Sequence, residues 1–184
     1  MKRVLVLAAH PDDESFGVAG TIAKHIAHGD EVVVFILTDG VTARHDNTEL
    51  QKRAAISAGS ILGVKDVRFG GLPDQRLDGL PLLEVIDPIF KLVKDFNPEV
   101  VYTHHGGDVN QDHRVVFEAS LVALRPVNNN PVKEAYCYEV ASSTEWAPPL
   151  NSWTFQPNIY VNIEPYLAKK IDAIMAYSKT HQTE

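Results

Sequence analysis

The chain has 184 residues, enough to bury one core and short for two, and its 45% hydrophobic and 22% charged residues are those of an ordinary globular domain. A formal net charge of −7, with 17 basic residues scattered in nothing longer than pairs, argues against nucleic acid or an anionic membrane as partner, because phosphate binding needs clustered Lys and Arg. The single cysteine, Cys137, excludes an internal disulfide framework and points to a reducing compartment.

In chain order, "RVLVLAA" (3–9) is a continuous apolar run, the mark of a strand buried on both faces. Met1-Lys2-Arg3 ahead of it imitates a signal peptide, but the apolar stretch is too short and ends in His10-Pro11-Asp12-Asp13 instead of small residues. No segment approaches the roughly 20 apolar residues that span a bilayer, so no integral membrane segment is expected and the location read is cytoplasmic. Residues 15–28 carry apolar side chains at helical spacing and stop at Gly29. "EVVVFILT" (31–38) is a second buried strand, 41–48 a polar loop, and 49–62 a helix closing on Gly63.

A short strand at 66–70 leads into the turn-rich "GGLPDQRLDGLP" (70–81), then a helix at about 82–95 stopped by Asn97-Pro98. "EVVYTHH" (99–105) is another strand, followed by "GGDVNQ" and a helix from about 112 to 124. "KEAYCYEV" (133–140) and "TFQPNIYVNI" (154–163) read as strands without an intervening helix, and an amphipathic helix fills 165–179. The alternation predicts a single α/β domain over 1–184, a Rossmann-like three-layer sandwich with a mostly parallel central sheet. Ligands of such sheets bind beyond the carboxyl ends of the strands.

Two strand ends carry unusual chemistry for that position. His10, Asp12 and Asp13 follow the first strand, and "HHGGDVNQDHR" (104–114), with three of the eight histidines, follows the strand at 99–105. Two imidazoles and a carboxylate with an open position are the donor set of catalytic zinc; Fe2+ accepts the same set, and Ca2+ or Mg2+ favour oxygen alone.

"AHPDDE" followed by a glycine-containing helix, "ILGVKDVRFGGLPDQRLD", "DVNQDHR" and "PNIYVNIEPYLAKKIDAIMAY" together resemble the LmbE/PIG-L family of metal-dependent N-acetylglucosamine deacetylases over nearly the whole chain. The resemblance implies a Rossmann-like fold, His10, Asp13 and His113 as zinc ligands, and Asp12 as the base. The expected partner is a small N-acetylated amino sugar or its conjugate; assembly with further copies of the chain is compatible with the sequence. Asp112 is expected to orient a ligand from behind. Many relatives read HPDH where this chain has Asn110-Gln111-Asp112-His113, so their first histidine is absent. His104 or His105 is expected to replace it, with His105 taken as the catalytic residue, and Asn110 supplies an amide donor to substrate.

Arg44 and Arg53 are candidate substrate clamps, and Asp74, like Asp78, a candidate partner of sugar hydroxyls. Glu14 is read as favouring the start of a helix through its dipole. Relatives with this Asn-x-Asp-His pattern continue past the last helix into a His-Pro-Arg segment, so a chain ending at Glu184 is expected to lack a C-terminal piece. Two other classes fit the sequence less well. A nucleotide-binding module is opposed by carboxylates where phosphate would sit, and a non-catalytic, regulatory relative would turn over no N-acetyl sugar.

Overall fold

A computed structural model describes residues 1–40, 48–127, 129–151 and 153–178. The strands are β1 (Arg3–Ala8), β2 (Glu31–Thr38), β3 (Asp66–Leu72), β4 (Val100–His104) and β5 (Glu134–Tyr138). The helices are α1 (Asp13–Phe16), α2 (Ala19–Ala27), α3 (Thr48–Leu62), α4 (Leu82–Phe96), α5 (Gln111–Ala123) and α6 (Leu167–Met175). Among the described residues no helix is long and apolar enough to cross a membrane.

The strands form one sheet in the order β3-β2-β1-β4-β5, and every pairing is parallel. Side chains alternate across it, as the pleat requires. Val4, Val6 and Ala8 of β1 face a core shared with α2, α3 and Ala173 of α6, while Leu5, Leu7 and Ala9 face a second core shared with α4 and α5. Both faces of β1 are therefore dry, which is why its sequence is unbroken apolar. The chain winds outward from β1 through β2 to β3, then returns to place β4 on the other side of β1. The crevice at that reversal lies past the carboxyl ends of β1 and β4, where the two histidine- and aspartate-bearing segments begin.

Two expected elements differ. The helix expected over 15–28 is two helices, α1 and α2, separated at Gly17 and Val18. The Tyr138 ring packs there so closely that a Cβ on Gly17 would stand 2.5 Å from its Cδ2. The strand expected over 154–163 does not form. Pro157 removes a ladder donor, and Ile159 and Tyr160 are exposed. The segment instead crosses the surface as a strap. It is seated at one end by the Trp153 backbone against Gly107, where a Cβ would lie 2.2 Å from the Trp153 carbonyl oxygen, and at the other by Ile163 over Gly20.

Candidate active site

The turn after β1 must leave a buried strand and start α1 within four residues. Asp12 makes it by adopting φ 110°, ψ −26°, a left-handed conformation that is strained for a residue with a Cβ. Strain of this kind costs on the order of 1–3 kcal/mol and persists only where surrounding contacts impose it. Here the Asp12 carbonyl accepts from the N–H groups of Ser15 and Phe16 at 2.8 and 2.9 Å, and its own N–H donates to Glu14 Oε2 at 3.2 Å. The Asp12 side chain is half-buried.

Asp13, buried at the centre, accepts from the His10 backbone N–H at 2.8 Å. Its carboxylate lies 3.5 Å from His10 Nδ1, 3.2 Å from His113 Nε2 and 3.3 Å from His104 Nε2. Burial alone would push its pKa up, but the imidazoles of His113 and His104 hold it well below the carboxylate range. Asp13 and His113, 100 positions apart in sequence, thus meet because β1 and β4 are neighbours with matched ends.

Each outer histidine is gripped from behind by a second carboxylate. His10 Nε2 lies 3.0 Å from Asp112 Oδ2, and His113 Nδ1 lies 3.1 Å from Asp108 Oδ2. Asp112 is itself fixed by the backbone N–H groups of Gln75 at 2.8 Å and Leu77 at 3.1 Å. Asp108 accepts from the hydroxyls of Ser143 and Thr144 at 3.0 and 2.6 Å. Two carboxylate–imidazole pairs pointing inward are the supporting arrangement of a metal centre, because a carboxylate on the far nitrogen fixes the ring and raises its basicity.

The inner face of this cluster fits a cation. His10, Asp13 and His113 each offer a ligand atom within 4.8 Å of the others. His113 Nε2 is buried and makes no hydrogen bond among the described residues, its near neighbour being Asp13 Oδ1 at 3.2 Å, so once deprotonated it would offer its lone pair to a cation between the three. His10, Asp74 and Asp112 satisfy the same spacing on the opposite side of the His10 ring.

The charge state follows from the same contacts. Burial opposes protonation of His10 and His113, but Asp112 and Asp13 raise the first to about 10, and Asp13 and Asp108 raise the second to about 9. In the metal-free protein both rings therefore contribute stability that is present below about pH 6.5 and lost as pH rises through about 9–10. Burial and the neighbouring His113 push His104 down to about 4, so it is neutral at pH 7, stacked on the His113 ring at 3.9 Å. Metal uptake at pH 7 should accordingly release about two protons, one from each outer imidazole. Calorimetry in buffers of different ionisation enthalpy measures this, and release of none would remove both rings from the ligand set.

The other expected residues fall in varied places. His105 turns away from Asp13 and His113, with Nε2 2.9 Å from the Trp153 carbonyl and the ring against the edge of Phe155. It is His104, the last residue of β4, that enters the cluster, since adjacent residues at a strand end point to opposite sides. Asp74 is buried behind His10, its Oδ1 3.3 Å from Nε2, where the sequence placed it among substrate hydroxyls. Asn110 uses its side-chain oxygen to cap α5, accepting from the Asp112 N–H at 3.0 Å and so building the turn that presents Asp112; the cap leaves the amide nitrogen, the donor expected toward substrate, out of that bond. Arg53 stands 75% exposed on α3, paired with Glu49 one turn away, a solvated helix pair and not a clamp in a crevice. Arg44 lies outside the described residues.

Asp108, Ser143 and Thr144 escaped the sequence reading. Asp108 lies inside the quoted "HHGGDVNQDHR", but no spacing rule marks it, and the two hydroxyls come from a turn after β5 that has no local pattern. Replacing Asp108 by Ala should weaken metal affinity about 10- to 100-fold with the three ligands intact, as loss of such a supporting carboxylate does. Competition with a metal indicator is the measurement; an unchanged affinity would show that Asp108 does not support His113.

The chain is 28% identical over 196 residues to a probable N-acetyl-alpha-D-glucosaminyl L-malate deacetylase 2 of Bacillus anthracis, covering 100% of this chain and 83% of that one. In fold it is similar to the N,N'-diacetylchitobiose deacetylase of Pyrococcus horikoshii, with TM-score 0.78 and 23% identity over 98% of this chain and 71% of that one. It is also similar to GalB, the 4-carboxy-2-hydroxymuconate hydratase of Pseudomonas putida, with TM-score 0.73 and 23% identity over 96% and 78%. One fold thus carries a deacetylase and a hydratase, and fold alone does not choose the reaction. A family model described as GlcNAc-PI de-N-acetylase matches residues 5–124. That match takes in both segments that meet at the cluster and well over half of the sequence: the chain belongs to the PIG-L family, the GlcNAc-PI de-N-acetylases.

Proposed function

We propose that the protein is a zinc-dependent N-deacetylase that hydrolyses the acetamide of an N-acetylated amino sugar or its conjugate, releasing acetate and the free amine. The observation that carries this reading is the inward-facing trio of His10, Asp13 and His113, backed by Asp112 and Asp108, with Asp12 preceding ligand Asp13 in the strained turn. Two imidazoles and one carboxylate suit zinc, and Fe2+ shares that preference, so the metal content of the purified protein decides between them.

A cation held by these three residues supplies Lewis acidity, polarising the amide carbonyl and bringing the pKa of water towards 7. The chain's own residues supply the proton transfers. Asp12 accepts a proton as water adds to the carbonyl carbon, and the resulting tetrahedral carbon carries a developing oxyanion that needs a positive partner. Asp12 then returns the proton to nitrogen, the C–N bond breaks, and the amine leaves neutral. Asp112 and Asp108 keep the two rings turned inward, and neutral His104 fills the space beside His113 without adding a charge.

The test is release of primary amine from N-acetylglucosamine and its glycosides by the purified chain, before chelation, after it, and after zinc is restored. Activity that is lost and regained supports the reading; undiminished activity in the metal-free protein overturns it.

A further inference from the structure

We propose that Tyr177, just past the C-terminal end of α6, is a positioning residue for Asp12, acting through the buried carboxylate of Glu14. The inference rests on the deacetylase reading and adds to it a residue 163 positions from Glu14 in sequence.

Glu14 does not merely favour a helix start: it is 2% exposed, and its two oxygens serve different neighbours. Oε2 accepts the Asp12 N–H at 3.2 Å, while Oε1 accepts the Ser15 hydroxyl at 2.6 Å and the Tyr177 hydroxyl at 2.8 Å. Tyr177 is fully buried and reaches Glu14 across 163 positions of sequence. The backbone angles of Asp12 are therefore held from both sides. Its carbonyl is fixed by Ser15 and Phe16, and its N–H is fixed by Glu14, which is itself fixed by Tyr177.

A left-handed residue with a Cβ relaxes unless both of its peptide groups are constrained. A carboxylate withdrawn from water is otherwise a poor core residue, since an apolar side chain of similar volume fills such a space without desolvation. The contact thus makes sense as a brace on the base. The same helix is also attached to α1 independently, by Lys170 Nζ donating to the carbonyls of Phe16 at 2.7 Å and Gly17 at 3.1 Å. That second attachment provides the control.

Tyr177→Phe removes one hydroxyl and keeps the ring; Lys170→Met cuts the other attachment and leaves Glu14 alone. The zinc-loaded full chain is assayed for kcat and KM on N-acetylglucosamine, for bound zinc, for Tm, and for amide hydrogen exchange over residues 10–16. Tyr177→Phe should lower kcat about 10-fold or more, with KM within about twofold and zinc stoichiometry unchanged, and should speed exchange in the turn about 10-fold. Lys170→Met should lower Tm and leave kcat as it was. Equal losses of kcat in both variants, or unchanged kcat and exchange in Tyr177→Phe, overturn the proposal. If the wild-type chain deacetylates nothing, the deacetylase reading fails on its own, and hydrogen exchange alone then decides whether Tyr177 braces the turn.

Discussion

Asp12→Asn lowers kcat by about 10²- to 10⁴-fold, the range a positioned general base contributes, while the metal stays bound. The substitution keeps the shape of the side chain, and the hydrogen bonds that hold the turn run to the residue-12 backbone, so the left-handed turn survives, but an amide cannot take a proton from water near pH 7. The ligands His10, Asp13 and His113 are untouched. Metal analysis and steady-state kinetics on the same sample separate the two effects. A variant with stoichiometric metal and wild-type kcat would show that the proton goes elsewhere, and the mechanism above would have no base.

His113→Ala produces the other large effect, on both metal and fold. The ring lies between two buried carboxylates, Asp13 at 3.2 Å and Asp108 at 3.1 Å. Asp108 sits at about 2 in its presence, where burial alone would raise it, because the His113 imidazole and the Thr144 hydroxyl favour the ionised form. Removing the ring strips a ligand and takes from both carboxylates the imidazole they share, leaving Asp13 with His10 and His104 and Asp108 with two hydroxyls, so the loss stays below the roughly 3–5 kcal/mol of a wholly unpaired buried charge. The dialysed variant should hold less than about one-tenth of the wild-type metal, since a lost donor cannot be replaced from the shell behind it. Its metal-free Tm should fall at neutral pH, and the deficit should shrink at low pH as the two carboxylates take up protons. Full metal occupancy with wild-type activity would remove His113 from the centre. His105→Ala is the natural contrast, because that ring contacts the Trp153 carbonyl and not the cluster.

Much of this protein is local and therefore legible from sequence. Unbroken apolar runs at 3–9 and 31–38 can only be strands covered on both faces, and Gly29, Gly63 and Asn97-Pro98 end helices through their own backbone chemistry. All three helix ends fall within a residue or two of those observed. The strand–helix alternation in turn implies a parallel sheet, and the sheet implies a crevice at its carboxyl edge. The histidines and aspartates at the ends of β1 and β4 followed from that placement.

The remainder depends on contacts between residues distant in sequence, which no local period encodes. Apolar alternation over 154–163 resembles a strand, but a strand exists only with a partner, and a segment anchored on Gly107 and Gly20 has none. The choice of His104 over His105 is a matter of which way one strand end is turned. The support of His113 by Asp108, and of Asp108 by Ser143 and Thr144, joins two separate stretches of chain. Sequence thus determined the layers and the donor types, through interactions reaching a few residues either way. Tertiary structure decided which donors share one space, because that is set by strand order and packing across more than a hundred residues.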